Sequence, residues 1–130
     1  MKPELYYLVL TAAFTGLLWV PYILDRIMTW GLIPAVSYPT NPPAQSAWAE
    51  RMKKAHGNAV ENLVVFAALV LAAQDVGLSN GATATAAMVY FWARVVHVAA
   101  YTFAIPWVRT LAFTAGFLAY MTFAWQLLAR

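Results

Sequence analysis

Four stretches of the 130-residue chain are apolar for long enough to be read as helices, and the few polar positions inside them are the informative ones. Residues 5–24 (LYYLVLTAAFTGLLWVPYIL) carry no charge over 20 positions, enough at about 1.5 Å per residue to span the roughly 30 Å hydrocarbon core of a bilayer. The first helix is predicted over about 4–32, with Pro21 kinking it before Asp25 and Arg26. The run is too long for the apolar core of a signal peptide and Glu4 interrupts a basic start, so an uncleaved span is expected. Residues 33–45 hold four of the seven prolines and predict a loop, with Ser46 placed to cap the second helix, about 47–75. Only 63–73 of that helix is continuously apolar, so its first half must lie in polar or protein-lined surroundings. Gly77 and the Ser79, Asn80, Gly81 run predict a tight turn into a third helix, about 82–104, which is apolar except for Arg94 and His97 near its middle. Pro106 suits the first position of a fourth helix, about 106–129, which carries no charge from Thr110 onward until Arg130.

Composition turns this pattern into a class. The chain is 63% hydrophobic and 10% charged, where a soluble domain carries about 25% charged residues. The length allows one domain, so the reading is a single all-α integral membrane four-helix bundle. A net charge of +3 would suit nucleic acid only if it formed a basic stripe; eight cations scattered over four hydrophobic segments form none, and no nucleic-acid partner is expected. The absence of cysteine excludes disulfides, thiolate metal sites and a cysteine nucleophile, so any thiol chemistry must come from a substrate. Four spans put both termini on one side. The first loop and its flanks contain Arg26, Arg51, Lys53 and Lys54, and Arg109 lies beside the third loop, so the positive-inside rule places those loops in the cytoplasm and the termini opposite. Tyr6, Tyr7, Trp19, Tyr22, Trp30, Trp48, Trp107 and Trp125 lie near span ends, where an aromatic belt anchors a membrane protein.

The chemistry sits in two stripes. Arg51, Lys54, Asn58 and Glu61 are spaced 3, 4 and 3 and share one face of the second helix. Tyr90, Arg94, His97 and Tyr101, spaced 4, 3 and 4, form a second stripe at membrane depth on the third. An arginine there costs about 2.5–3.5 kcal/mol on insertion scales if it faces lipid, so Arg94 must face the bundle interior or a wet cavity. A plain Arg94–Glu61 tie between the helices would account for two of these eight positions. Arg109 falls in the first turn of the fourth helix, where a cation adds to the positive end of the helix dipole and favours an anion; the alternative is a topology charge alone. His56 lies off the stripe, and two histidines without metal spacing predict no metal. Asp25 reads as a solvated charge, while Arg26 is open to a role in the site.

Residues 50–62, ERMKKAHGNAVEN, followed by an apolar run with Phe66, resemble the signature of the MAPEG family, the membrane-associated proteins in eicosanoid and glutathione metabolism. Residues 93–110, ARVVHVAAYTFAIPWVRT, are similar to that family's third helix and its turn into the fourth. The likeness is to microsomal glutathione transferase-like members, in a compact bacterial form, which implies a plasma-membrane location. It implies a homotrimer with three glutathione sites between neighbouring subunits, opening to the cytoplasmic side. Carried over by position, Arg51, Lys54, Asn58, Glu61, Arg94, His97 and Tyr101 would bind glutathione, Arg26 matches a basic position that reaches it in some members, and Arg109 would stabilise the thiolate. Two departures predict weaker binding or a different thiol. Gly57 stands where eukaryotic glutathione users often carry a larger or basic residue, and Lys54 replaces an arginine, losing a bidentate fork for a carboxylate.

Glutathione brings two carboxylates, an ammonium and a thiol; the stripes and Arg109 supply cations, a carboxylate and a partner for the thiolate. Lowering a thiol from about 8.5 to about 6.5 takes roughly 2.7 kcal/mol of preferential thiolate stabilisation, within reach of one arginine at a dehydrated helix N-terminus. The resemblance thus implies a transferase or peroxidase acting on a lipophilic electrophile dissolved in membrane lipid, entering between the first and fourth helices. Two other readings stay open: a non-catalytic binding protein for a small anion or lipid headgroup, and a structural membrane protein whose stripes are only interhelical ties.

Overall fold

A computed structural model describes all 130 residues, and the regular structure of the chain is all helical, with no strand. Helix α1 runs Pro3–Leu17 and opens on a proline, whose missing N–H is one that a first helical turn leaves unused anyway. Helix α2, Trp19–Trp30, continues it after a break at Leu18, whose N–H reaches Thr15 O at 3.3 Å. The break sits where Pro21 predicts it: the proline offers no N–H to Leu17 O and its ring crowds that carbonyl. Gly31, at φ 87°, ends α2. The expected loop is not wholly irregular, for a single helical turn, α3, covers Leu32–Ala35.

Helix α4 spans Ala47–Asp75, as its pattern predicts. It ends where Gly77 takes φ 73° and lets Leu78 N–H return to Ala73 O at 2.8 Å and Gly77 N–H to Gln74 O at 3.2 Å, the double bond that only a left-handed residue closes. Helix α5, Gly81–Thr102, then starts from a capping box in which Asn80 and Thr83 satisfy each other's backbone N–H groups. Helix α6 is Val108–Leu128. Pro106 is not its first residue, because Trp107 intervenes at φ 63° and α6 begins only after it.

Three expectations near the first loop are corrected. Asp25 is buried rather than solvated, accepting from Ser46 Oγ at 2.5 Å, Ser46 N at 3.1 Å and Gln45 Nε2 at 3.2 Å. Ser46 holds the N-cap position of α4, yet its hydroxyl donates to Asp25 instead of capping the helix. Tyr22 is likewise buried, its hydroxyl 2.8 Å from His56 Nδ1, so it ties α2 to α4 instead of joining an interfacial belt.

At one end of the molecule Glu4 accepts from Ser79 Oγ at 2.7 Å and Thr83 Oγ1 at 2.8 Å, Asn80 donates to Gln126, and Arg130 donates to Val76 O. Both termini and the α4–α5 turn therefore gather there. The linker before α4 and the α5–α6 turn occupy the other end, where Arg51 Nε near the start of α4 donates to Thr102 O at the end of α5 at 2.9 Å.

Three helices are long and apolar enough to cross a membrane: Pro3–Trp30, Ala47–Asp75 and Val108–Leu128. Helix α5 falls outside that group because Arg94 and His97 lower its mean hydropathy, and it is the most enclosed helix, with 10 of 22 residues buried against 6 of 29 in α4 and 4 of 21 in α6. The polar helix is thus the one the others shield from lipid. Small residues let the helices approach closely: Ala55, Ala59, Ala87 and Ala119 are buried at helix contacts, while Phe66 stacks on Tyr90 with ring centroids 3.9 Å apart.

Candidate functional site

The two stripes meet at the end of the bundle that carries the α5–α6 turn. Arg94, 2% exposed, donates from its guanidinium to Asn58 Oδ1 at 2.7 Å. The Arg94–Glu61 tie is therefore not made. Glu61 lies exposed on α4, and so does Lys54, whereas Arg51 and Asn58 are half-buried against α5. Helical geometry explains the division: about 100° per residue carries Lys54 and Glu61 to the outer edge of a stripe whose inner edge faces α5.

Asn62 was not singled out from the sequence, although it closes the quoted motif one turn beyond Asn58. Its Nδ2 donates to Asn58 O at 2.9 Å and Asn58 Oδ1 at 3.3 Å, which fixes the amide that Arg94 contacts. On α5, Tyr90 proves to be core: fully buried beneath Phe66, it takes no part in a site. His97 is buried with Nδ1 unpartnered, and its ring meets the edge of Tyr101 at 5.8 Å.

Arg109 is held by a turn that gives no sign of itself in the sequence. Ala104, at φ 56°, closes the end of α5 as a glycine would, with Ile105 N–H returning to Ala100 O at 2.8 Å and Ala104 N–H to Tyr101 O at 3.3 Å. Trp107, at φ 63° and ψ −49°, then forms a γ-turn, with Val108 N–H bonded to Pro106 O at 2.6 Å. Arg109 follows in the first turn of α6, as expected, but it is exposed rather than dehydrated in this chain, and its guanidinium carbon lies 4.7 Å from the centre of the Tyr101 ring.

Two cavities border that pair. One, of about 220 Å³, is lined by Arg51, Ala100, Tyr101, Ala104, Ile105, Pro106 and Arg109. The other, of about 290 Å³, is lined by Asn58, His97, Tyr101, Arg109, Thr110 and Phe113. Arg51, Arg94 and Arg109 each meet a neutral partner, respectively a carbonyl, an amide and a ring, so no carboxylate offsets their charge at these contacts. The arrangement suits a small anion with more than one charged or polar group. Arg26 borders neither cavity; it lies over its own Trp30 at 5.2 Å. No three His, Cys, Asp or Glu side chains converge where a metal ion could sit. A Cβ placed on Gly57 would meet nothing within 4 Å, so the missing side chain leaves open space beside the stripe.

A family model, described as the MAPEG family, matches residues 7–129. No curated protein matches the chain.

Proposed function

The chain belongs to the MAPEG family, and from that premise we propose that it is a membrane-bound glutathione transferase or peroxidase acting on lipophilic electrophiles. The observation that carries the reading is the set of three arginines met only by neutral partners: Arg51 and Arg109 on two adjoining cavities, and Arg94 behind them, bonded to the Asn58 amide that lines the second. In the cavity bordered by Arg51 and Arg109, cationic on two sides, a carboxylate of the tripeptide is bound. In the cavity bordered by Asn58, His97 and Arg109 the cysteinyl thiol loses its proton, and the guanidinium of Arg109 stabilises the sulfur anion. The thiolate then attacks a substrate dissolved in the bilayer: at carbon it forms a sulfur–carbon bond as a leaving group departs with its electron pair, and at a hydroperoxide it breaks the oxygen–oxygen bond, releasing the alcohol and a sulfenic acid that a second glutathione converts to the disulfide and water.

The working form is a homotrimer with sites between neighbouring copies. Supporting this, Lys54 and Glu61 lie exposed on a helix apolar enough to span the membrane, where a lipid-facing charge costs about 2.5–3.5 kcal/mol and a neighbouring copy with bound ligand would cover it. Helix α5 forms the fourth span. The α5–α6 turn and the linker before α4 face the cytoplasm and both termini face the other side, in the plasma membrane if the source is bacterial.

The test is a titration of the detergent-purified protein with glutathione, following thiolate absorbance in the ultraviolet together with thermal stability. A thiolate signal that disappears in Arg109→Ala supports the reading. No signal and no thermal shift would sink it and favour a binding protein for another anion. The assigned roles also separate kinetically: Arg109→Ala lowers turnover by orders of magnitude with little change in glutathione binding, whereas Glu61→Ala abolishes binding. Equal effects on both quantities would count against these roles.

A further inference from the structure

The Tyr101 ring forms part of the wall of both cavities, and so does Arg109. The two side chains meet as a cation over a ring face, 4.7 Å from guanidinium carbon to ring centre. They form the partition between a cavity of about 220 Å³ and one of about 290 Å³. Tyr101 approaches from the last turn of α5 and Arg109 from the first turn of α6, so the contact bridges the short α5–α6 turn. The guanidinium makes no hydrogen bond to any protein group, while the side chain is exposed and long enough to take many rotamers. Tyr101, by contrast, is fixed: half-buried on α5, edge-on to His97 at 5.8 Å.

We propose that Tyr101 is a positioning residue whose ring face, rather than its hydroxyl, holds the Arg109 guanidinium on the partition between the two cavities. This rests on the proposed role of Arg109 toward a glutathione thiolate. With the ring removed, Arg109 is free to turn to solvent, and the thiolate loses the fraction of time for which the cation faces it. Aromatic contacts of this kind at exposed sites correspond to about two- to fivefold in an equilibrium constant, and the bound thiol's acid dissociation constant should fall by that factor. A hydroxyl contact to the ligand predicts something different, because Tyr101→Phe would then be as damaging as removal of the ring.

The experiment measures the ionisation of glutathione bound at saturation, by ultraviolet titration of the detergent-purified protein. The comparison takes wild type, Tyr101→Phe, Tyr101→Leu and Arg109→Ala, with Tyr101→Leu repeated in the Arg109→Ala background. Expected are a weaker bound acid in Tyr101→Leu by about two- to fivefold, a larger part of the wild-type ionisation retained in Tyr101→Phe, and no added effect of Tyr101→Leu once Arg109 is gone. Should Tyr101→Leu fail to fold by thermal unfolding, Tyr101→Met carries the same comparison. Equal losses in the phenylalanine and leucine variants, or an undiminished leucine effect without Arg109, would overturn the proposal, as would a leucine variant that ionises the thiol like wild type. A wild-type protein that binds glutathione without ionising it, or does not bind it, overturns the underlying reading instead, and the variants are then not needed to tell the two failures apart.

Discussion

Ala104 and Trp107 hold left-handed backbone conformations that the sequence reserves for no glycine, and between them they set where Arg109 stands. An L-residue in that region gives up about 1–2 kcal/mol against the right-handed form, and a turn keeps such a residue only when its surroundings over-determine it. At Ala104 the role is that of a helix terminator, for which glycine is ordinarily chosen. Ala104→Gly is therefore expected to raise stability by about 0.5–1 kcal/mol, measured as a higher thermal midpoint in detergent, since the relief of strain exceeds the extra freedom glycine gains on unfolding. An unchanged or lowered midpoint would show that the turn is not strained at this position. Arg51, Asn58, Arg94, His97 and Tyr101 were legible because polar side chains at helical spacing must share a face, and Arg109 because it opens a helix; five of the six line the cavities and Arg94 bonds to Asn58 behind them. The direction of Arg109 was not legible, because it depends on a γ-turn made by a tryptophan. Tyr90 was misplaced because a stripe gives a face but not its depth, and the upper half of that face packs under Phe66.

Among the elements, the long helices were legible because an uncharged run or a glycine turn marks each boundary within a few residues. The linker between α2 and α4 was less so. Its prolines predict irregular chain, but no pattern announces that Asp25 is turned inward to hold its far end. This one carboxylate accepts three hydrogen bonds from Gln45 and Ser46 at the start of α4, beside the N-terminal end of that helix, where a negative charge is favoured. It does for α4 what the serine hydroxyl was expected to do. Removing it leaves buried donors unsatisfied as well as losing bonds to a charged group. Asp25→Ala should cost about 2–3 kcal/mol and expose residues 36–46 to limited proteolysis before the bundle itself unfolds. Ser46→Ala, which leaves Asp25 two acceptor contacts, should cost about 1 kcal/mol. If both variants melt like wild type and resist the protease equally, the carboxylate is not what fastens the linker.

For the whole molecule, the position of Arg26 decides how copies must be arranged if it belongs to the site. Within its own chain it lies over Trp30 on α2 and borders neither cavity, so in the proposed assembly it serves the site of a neighbouring copy. Arg109 acts from the chain whose Tyr101 it touches. A site of this kind is heterologous: one copy presents the α2 surface and the next presents the α5–α6 turn, the relation that the proposed homotrimer would close into a ring. Arg26→Ala and Arg109→Ala should then each lower transferase activity in assemblies of a single variant, since every site lacks one of the two arginines. When the two variants are co-expressed, random assortment gives about one site in four an intact Arg26 from one copy and an intact Arg109 from its neighbour, and activity should recover to about a quarter of wild type. If both arginines served the same site from the same chain, no mixed assembly could contain an intact site, and co-expression would recover nothing. Tandem tags on the two variants isolate the mixed assemblies, in which about one site of the three in each ring is intact, so the doubly captured fraction should show about a third of wild-type activity; this separates the result from exchange that never occurred.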